Sequence, residues 1–103
     1  MLLRHATPVC NLPNIERRGL LCRKSQGRLK AVWLATEGKS SWAAMHVAWR
    51  HGARIEAVIT LEVDVPRSWL RRSRKGLWYC TRDVPPDRIR RLFGFVELAR
   101  VAG

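Results

Sequence analysis

The stretch Ile55 to Val65, IEAVITLEVDV, constrains the fold of this chain more than any other segment. Ile55, Ala57, Ile59, Leu61, Val63 and Val65 share one face at a repeat of two, and Glu56, Val58, Thr60, Glu62 and Asp64 share the other. That alternation predicts the longest strand, closed by Pro66. Shorter strands are expected at Leu2 to Thr7, stopped by Pro8, at Ala31 to Thr36, at Gly76 to Thr81 and at Phe93 to Val101.

Helix signals lie between them. Asn11 can cap a short helix with Pro13 in its first turn, Leu12, Ile15 and Val9 facing the core, and Gly19 at its end. Ser40 or Ser41 can cap a second helix running to about His51, closed by Gly52. Trp42, Met45 and Trp49 fall at i, i+3 and i+7 and mark its apolar face, while Ala44 and Ala48 broaden that face and allow close approach to a sheet. Ser68 to Leu70 and Asp87 to Arg91 read as single helical turns, and Cys22 to Lys30 as a polar surface loop. The order predicts a small α+β domain, one compact unit over residues 1–103, with no repeat or linker. The sense of the strands is not readable.

Charge sets the partner class. Twenty Lys and Arg against eight Asp and Glu give a formal net charge of +12, and the cations are spread from Arg17 to Arg91 rather than held in a tail. Such a field favours polyanions, with nucleic acid first, a phosphate-rich cofactor or an acidic protein next. Sixteen of the cations are Arg, whose planar fork suits phosphate, although a GC-rich genome produces the same bias. No signal peptide or run of about 20 apolar residues is visible. Cys10, Cys22 and Cys80 are odd in number and form no CxxC pair, which reads as a reduced, cytoplasmic protein rather than a disulfide framework.

The segment Pro66 to Pro86 packs Arg67, Arg71, Arg72, Arg74 and Lys75 ahead of the strand-like Leu77-Trp78-Tyr79-Cys80. A flexible basic segment feeding an aromatic strand can hold a phosphate-bearing ligand against a flat ring; a solvated hairpin explains the same residues. His5 sits inside an apolar strand on the same side as Thr7, as either a structural donor or a catalyst. Glu62 and Asp64 share a strand face and could do acid–base work or simply point outward. The spacing of His46 and His51 does not place two ligands on one helix face, so no metal site is expected. Phosphate-loop, dinucleotide and nucleophile-elbow motifs are missing.

A resemblance adds to this. The order His5-Ala6-Thr7, Asn11-Leu12-Pro13-Asn14-Ile15, Gly19-Leu20, Val32-Trp33-Leu34-Ala35, Arg72-Ser73-Arg74-Lys75-Gly76-Leu77-Trp78-Tyr79-Cys80-Thr81 and Val84-Pro85-Pro86 resembles the ADP-ribosyltransferase fold. The likeness is closest to the NAD-binding half of the RNA 2′-phosphotransferases and looser to the DNA-modifying ADP-ribosyltransferase toxins. It implies a split β-sheet with NAD as cofactor and a nucleic acid as acceptor. ADP-ribose would pass to a base or phosphate, or an RNA 2′-phosphate would leave through an ADP-ribosylated intermediate.

By the same resemblance, His5 bonds the ribose beside the nicotinamide, supported by Thr7. Trp33 stands where the family has His or Tyr, with Thr36 near the position of its serine. Leu77 is the apolar residue of the third motif, and Arg72 holds a phosphate together with Arg71 or Arg74. Glu62 is the available general base. Arg67, Arg71, Arg74 and Lys75 are general contacts to nucleic acid. Ala6 replaces the usual Gly, and Lys75 replaces Asn. The alternative is a basic nucleic-acid-binding module on a degenerate transferase fold without turnover; an antitoxin or other partner protein that completes the site is a further expectation.

Overall fold

A computed structural model of the chain describes residues 1–25 and 28–94. Strand β1 (Leu2–Pro8) leads through a 3₁₀ turn into helix α1 (Leu12–Arg18), and β2 (Val32–Ala35) precedes helix α2 (Ser40–Arg50). Then come β3 (Val58–Asp64), the hairpin of β4 (Leu70–Arg74) and β5 (Leu77–Cys80), and β6 (Ile89–Gly94). The two helices and an antiparallel sheet make a small α+β domain. All pairings are antiparallel, in the order β4-β5-β2-β1-β3-β6.

The sheet has a thin seam. β1 and β3 pair along seven residues, and β2 and β5 along four, but β1 and β2 share one registered pair, Arg4 with Ala35. Beyond that pair the strands part. Within this one six-stranded sheet, β1, β3 and β6 form one well-paired set and β2, β5 and β4 another, joined by that short contact.

Each face of the sheet has its own apolar cluster. On the α1 side Leu3, Val32, Leu34, Leu61, Val63 and Cys80 pack with Ile15 of the helix. On the α2 side Val58 and Phe93 pack with Ala44 and Ala48. β3 is thus covered on both sides. This is why Val58 and Thr60, expected opposite the apolar face, are also buried. Thr60 Oγ1 has no hydrogen-bond partner among the described residues. β3 begins at Val58 rather than Ile55, because Ile55–Ala57 forms a 3₁₀ turn.

Four other local expectations are corrected. The basic segment is no flexible loop: Leu70–Arg74 is an edge strand in register with β5. An edge strand has one ladder to satisfy, so charged side chains fit it and discourage pairing with other chains. The last strand starts at Ile89, after a 3₁₀ turn at Pro86–Arg88, and the part of the expected strand after Gly94 lies outside the described residues. Val9 is exposed. Neither α1 nor α2 has a side-chain cap: Asn11 Nδ2 donates to Thr7 Oγ1 at 3.1 Å instead, and Ser40 Oγ donates to the Glu37 carbonyl at 2.7 Å.

The largest departure concerns α2. Its large apolar residues face outward, with Trp42 49%, Met45 58% and Trp49 79% exposed, while Ala44 and Ala48 are 1% and 6% exposed. Both sets keep a helical repeat, and the alanine stripe is the one that lets the helix backbone lie close to the sheet.

Gly19 ends α1 with φ of +79°, and a Cβ there would overlap the Val84 carbonyl oxygen. Leu20 and Val84 form an isolated antiparallel bridge at that point. The Gly19-Leu20 and Val84-Pro85-Pro86 segments therefore meet in space.

Candidate active site in the split of the sheet

Where β1 and β2 diverge, a cavity of about 800 Å³ opens. Its walls are the end of β1, the start of β2, residues of α1 and the segment after it, one side of α2, and the tip of the β4–β5 hairpin. His5, Thr7, Trp33 and Leu77 all line it. The charged side chains among its described lining residues are basic: Arg4, Lys24, Arg50 and Arg74, besides the histidines.

His5 spans the split. Its Nδ1 lies 2.8 Å from the Trp33 carbonyl oxygen. A carbonyl can only accept, so Nδ1 carries the proton. Burial pulls the imidazole below its ordinary value of 6.5, and the bond to the Trp33 carbonyl opposes this only in part. The ring is therefore neutral near pH 7, and Nε2 is left as an acceptor suited to a hydroxyl group. Thr7 lies two residues on along the same strand face, its hydroxyl oriented by the bond from Asn11.

Trp33 comes from β2, across the divergence from His5. It pairs with Tyr79, and their rings lie 5.2 Å apart at a tilt of 42°. Tyr79 in turn pairs with Arg71, and Leu77 with Arg74. Directly opposed residues of an antiparallel pair share a face, so Arg71 and Arg74 lie on the Trp33 side of the sheet. The irregular register between Arg72 and Arg74 brings Ser73 and Arg74 to the cavity wall.

Three expected site residues lie elsewhere. Arg72 pairs with Trp78, whose ring belongs to the α1-side cluster and carries the Arg67 guanidinium 5.6 Å from its centroid. Arg72 and Arg67 thus sit on the α1 side, the face that also carries Leu61 and its partner His5, but neither lines the cavity, and Arg74 is the hairpin arginine at its wall. Glu62 sits on the α2 face of β3, opposite Arg4, with 3.5 Å between carboxylate and guanidinium. His5 pairs instead with Leu61, so strand alternation keeps Glu62 and His5 on opposite faces. Thr36 supports the hairpin, its N–H donating to the Gly76 carbonyl at 2.9 Å. Gly76 has φ of +79°, and a Cβ there would lie 2.5 Å from Lys39 Cγ. Lys75 is exposed at the same turn.

The sequence puts Arg72 first, with Arg71 or Arg74 beside it, whereas Arg74 is the one at the cavity wall; Asn11, Trp42, His46 and Arg50 also line the cavity and carry no site role in the sequence reading. A register irregularity in a charged strand has no signature in residue types. Trp42 is expected on the core-facing side with Met45 and Trp49, because periodicity identifies a face without saying what covers it.

Arg4 is nearly buried, between Glu62 and Glu37, with its guanidinium carbon 4.5 Å from the Phe93 ring centroid. It pins the closed end of the split. Among the described residues no group of three His, Cys, Asp or Glu side chains is placed to hold a metal ion, and no helix is long and apolar enough to cross a membrane. The chain matches no protein-family model and no curated protein.

Proposed function

We propose that the cleft binds NAD and that the protein transfers ADP-ribose to a phosphate or base of a nucleic acid, on an ADP-ribosyltransferase-like split sheet. The observation that carries this reading is His5 held across the split by its 2.8 Å bond to the Trp33 carbonyl, in a cavity whose charged lining is basic. The cavity's volume and its mixture of ring surfaces and cations fit a dinucleotide with two phosphates. When bound, NAD supplies a ribose C1′ whose bond to nicotinamide breaks as an acceptor oxygen attacks.

The chain's own groups have separable tasks. His5 accepts a hydrogen bond from a ribose hydroxyl through Nε2, and Thr7 with Asn11 supports that wall. Trp33 and Leu77 offer apolar surface to a planar ring. Arg74, with Arg50 and Lys24, balances phosphate charge. A phosphate acceptor suits these walls best, because its oxygen is already ionised near pH 7 and requires no general base.

Labelled NAD incubated with phosphorylated and dephosphorylated RNA tests the reading. His5→Ala and Arg74→Ala are each expected to lower label transfer by at least about tenfold, equivalent to about 1.4 kcal/mol of transition-state binding. Arg72→Ala is expected to cost much less. Failure of NAD to bind in calorimetry overturns the enzyme reading. Trp33 at the second motif supports the other reading, a non-catalytic module in which Trp33, Tyr79 and Arg71 hold a nucleic acid. Nucleic-acid binding that persists without any NAD binding would select it.

A further inference from the structure

Helix α2 leaves its largest apolar side chains in solvent, and they are arranged in a ladder. Trp42 and His46 stack with centroids 5.1 Å apart and planes 8° from parallel, and Trp49 follows 6.2 Å from His46. From Trp42 to Trp49 the helix rises about 10 Å, a length that matches roughly three stacked bases. The face turned to the sheet is instead the alanine stripe of Ala44 and Ala48.

We propose that this ladder is the docking surface for an unpaired nucleic-acid strand, whose bases stack on the rings and whose chain continues into the cleft. Naming that strand as the acceptor rests on the transferase reading above; the docking itself does not.

Two observations choose this occupant. Trp42 and His46 belong to both the ladder and the cavity wall, so the aromatic surface runs unbroken into the split. Beyond it the Trp33–Tyr79 pair continues the surface on the same side of the sheet, with Arg71 and Arg74 in register beside it for phosphates. The charge argues in the same direction. A second copy of the chain brings another +12 and is repelled, whereas a nucleic-acid strand brings the opposite charge. Ring faces accept any base, so the surface favours single strands over duplexes and is tolerant of sequence.

The test uses the full chain with short oligouridylate, the same strand annealed to oligoadenylate, and anionic phosphatidylserine vesicles, read by tryptophan fluorescence and anisotropy. The single strand is expected to quench the tryptophans, to bind at least about tenfold tighter than the duplex, and to weaken as salt is raised. Trp49→Ala is expected to lose about tenfold in strand affinity with an unchanged melting temperature, and Trp49→Phe to recover most of it. Equal binding of the duplex, an unaffected Trp49→Ala, vesicle binding without strand binding, or a dimer in sedimentation that Trp49→Ala dissolves would each overturn the proposal. NAD calorimetry on the same samples separates the outcomes, since loss of NAD binding removes the transferase reading and leaves strand docking standing.

Discussion

The His5 ring gives up solvation to bridge the split, and this links one proton to the stability of the fold. Its folded value lies below 6.5, so under mild acid the unfolded chain takes up a proton that the native chain refuses. Stability from this group is complete above 6.5 and is lost as pH falls toward the folded value. The melting temperature is expected to decline through that window, and His5→Gln to flatten this limb; a wild-type curve that stays level there would remove the buried neutral ring. A second acid limb belongs to two carboxylates. Asp64, bonded to the terminal ammonium at 3.2 Å, and Asp83, accepting the Cys22 N–H at 2.9 Å, are both held below 3.8, so their contribution disappears only at still lower pH. The special placement of His5 could be read from its position inside an apolar strand. The choice between Arg72 and Arg74 could not, since it depends on a local shift of register that either residue order permits.

Helix α2 shows how an element can be legible while its orientation is not. Its extent, Ser40–Arg50, lies close to the expected Ser40-to-His51 span and its repeat follows from the apolar spacing, although Ser40 does not act as the cap. Which stripe turns inward depends on how closely the helix approaches the sheet, and here small residues, Ala44 and Ala48, lie in that contact. Ala44→Leu is therefore expected to destabilise the protein by about 1–3 kcal/mol in urea titrations, whereas Met45→Ala should stay within about 0.5 kcal/mol of wild type. A reversal of those two effects would mean that the helix packs through its large residues. The β4 strand presents a similar problem: three arginines in five positions look like a loop, but they are compatible with a strand that pairs along one side only.

Across the whole molecule, eight carboxylates cannot neutralise twenty cations, so the folded state works against its own field. Added salt is expected to raise the melting temperature by screening that repulsion, and inorganic phosphate to raise it further than chloride at equal ionic strength, through binding to the native state. A melting temperature that falls with salt would show that the described ion pairs outweigh the repulsion. The same excess of charge was plain in composition and pointed to a polyanion partner. The α+β class follows from the succession of strand and helix signals; a split sheet enters only through the family resemblance, and its position between β1 and β2 is not readable, because no residue pattern marks where two strands stop pairing.

That seam has a topological consequence. The chain enters the first set of strands with β1, passes to the second with β2, returns with β3, crosses again to β4 and β5, and comes back with β6. Two halves joined by a single bridged pair are thus laced together by four covalent crossings. No cut at one point releases either half as an independent piece, and the cleft walls can part only as far as those connections reach. The same two sets share the apolar cluster on the α1 side, so covalent lacing and a common core both hold them together where the ladder is thin.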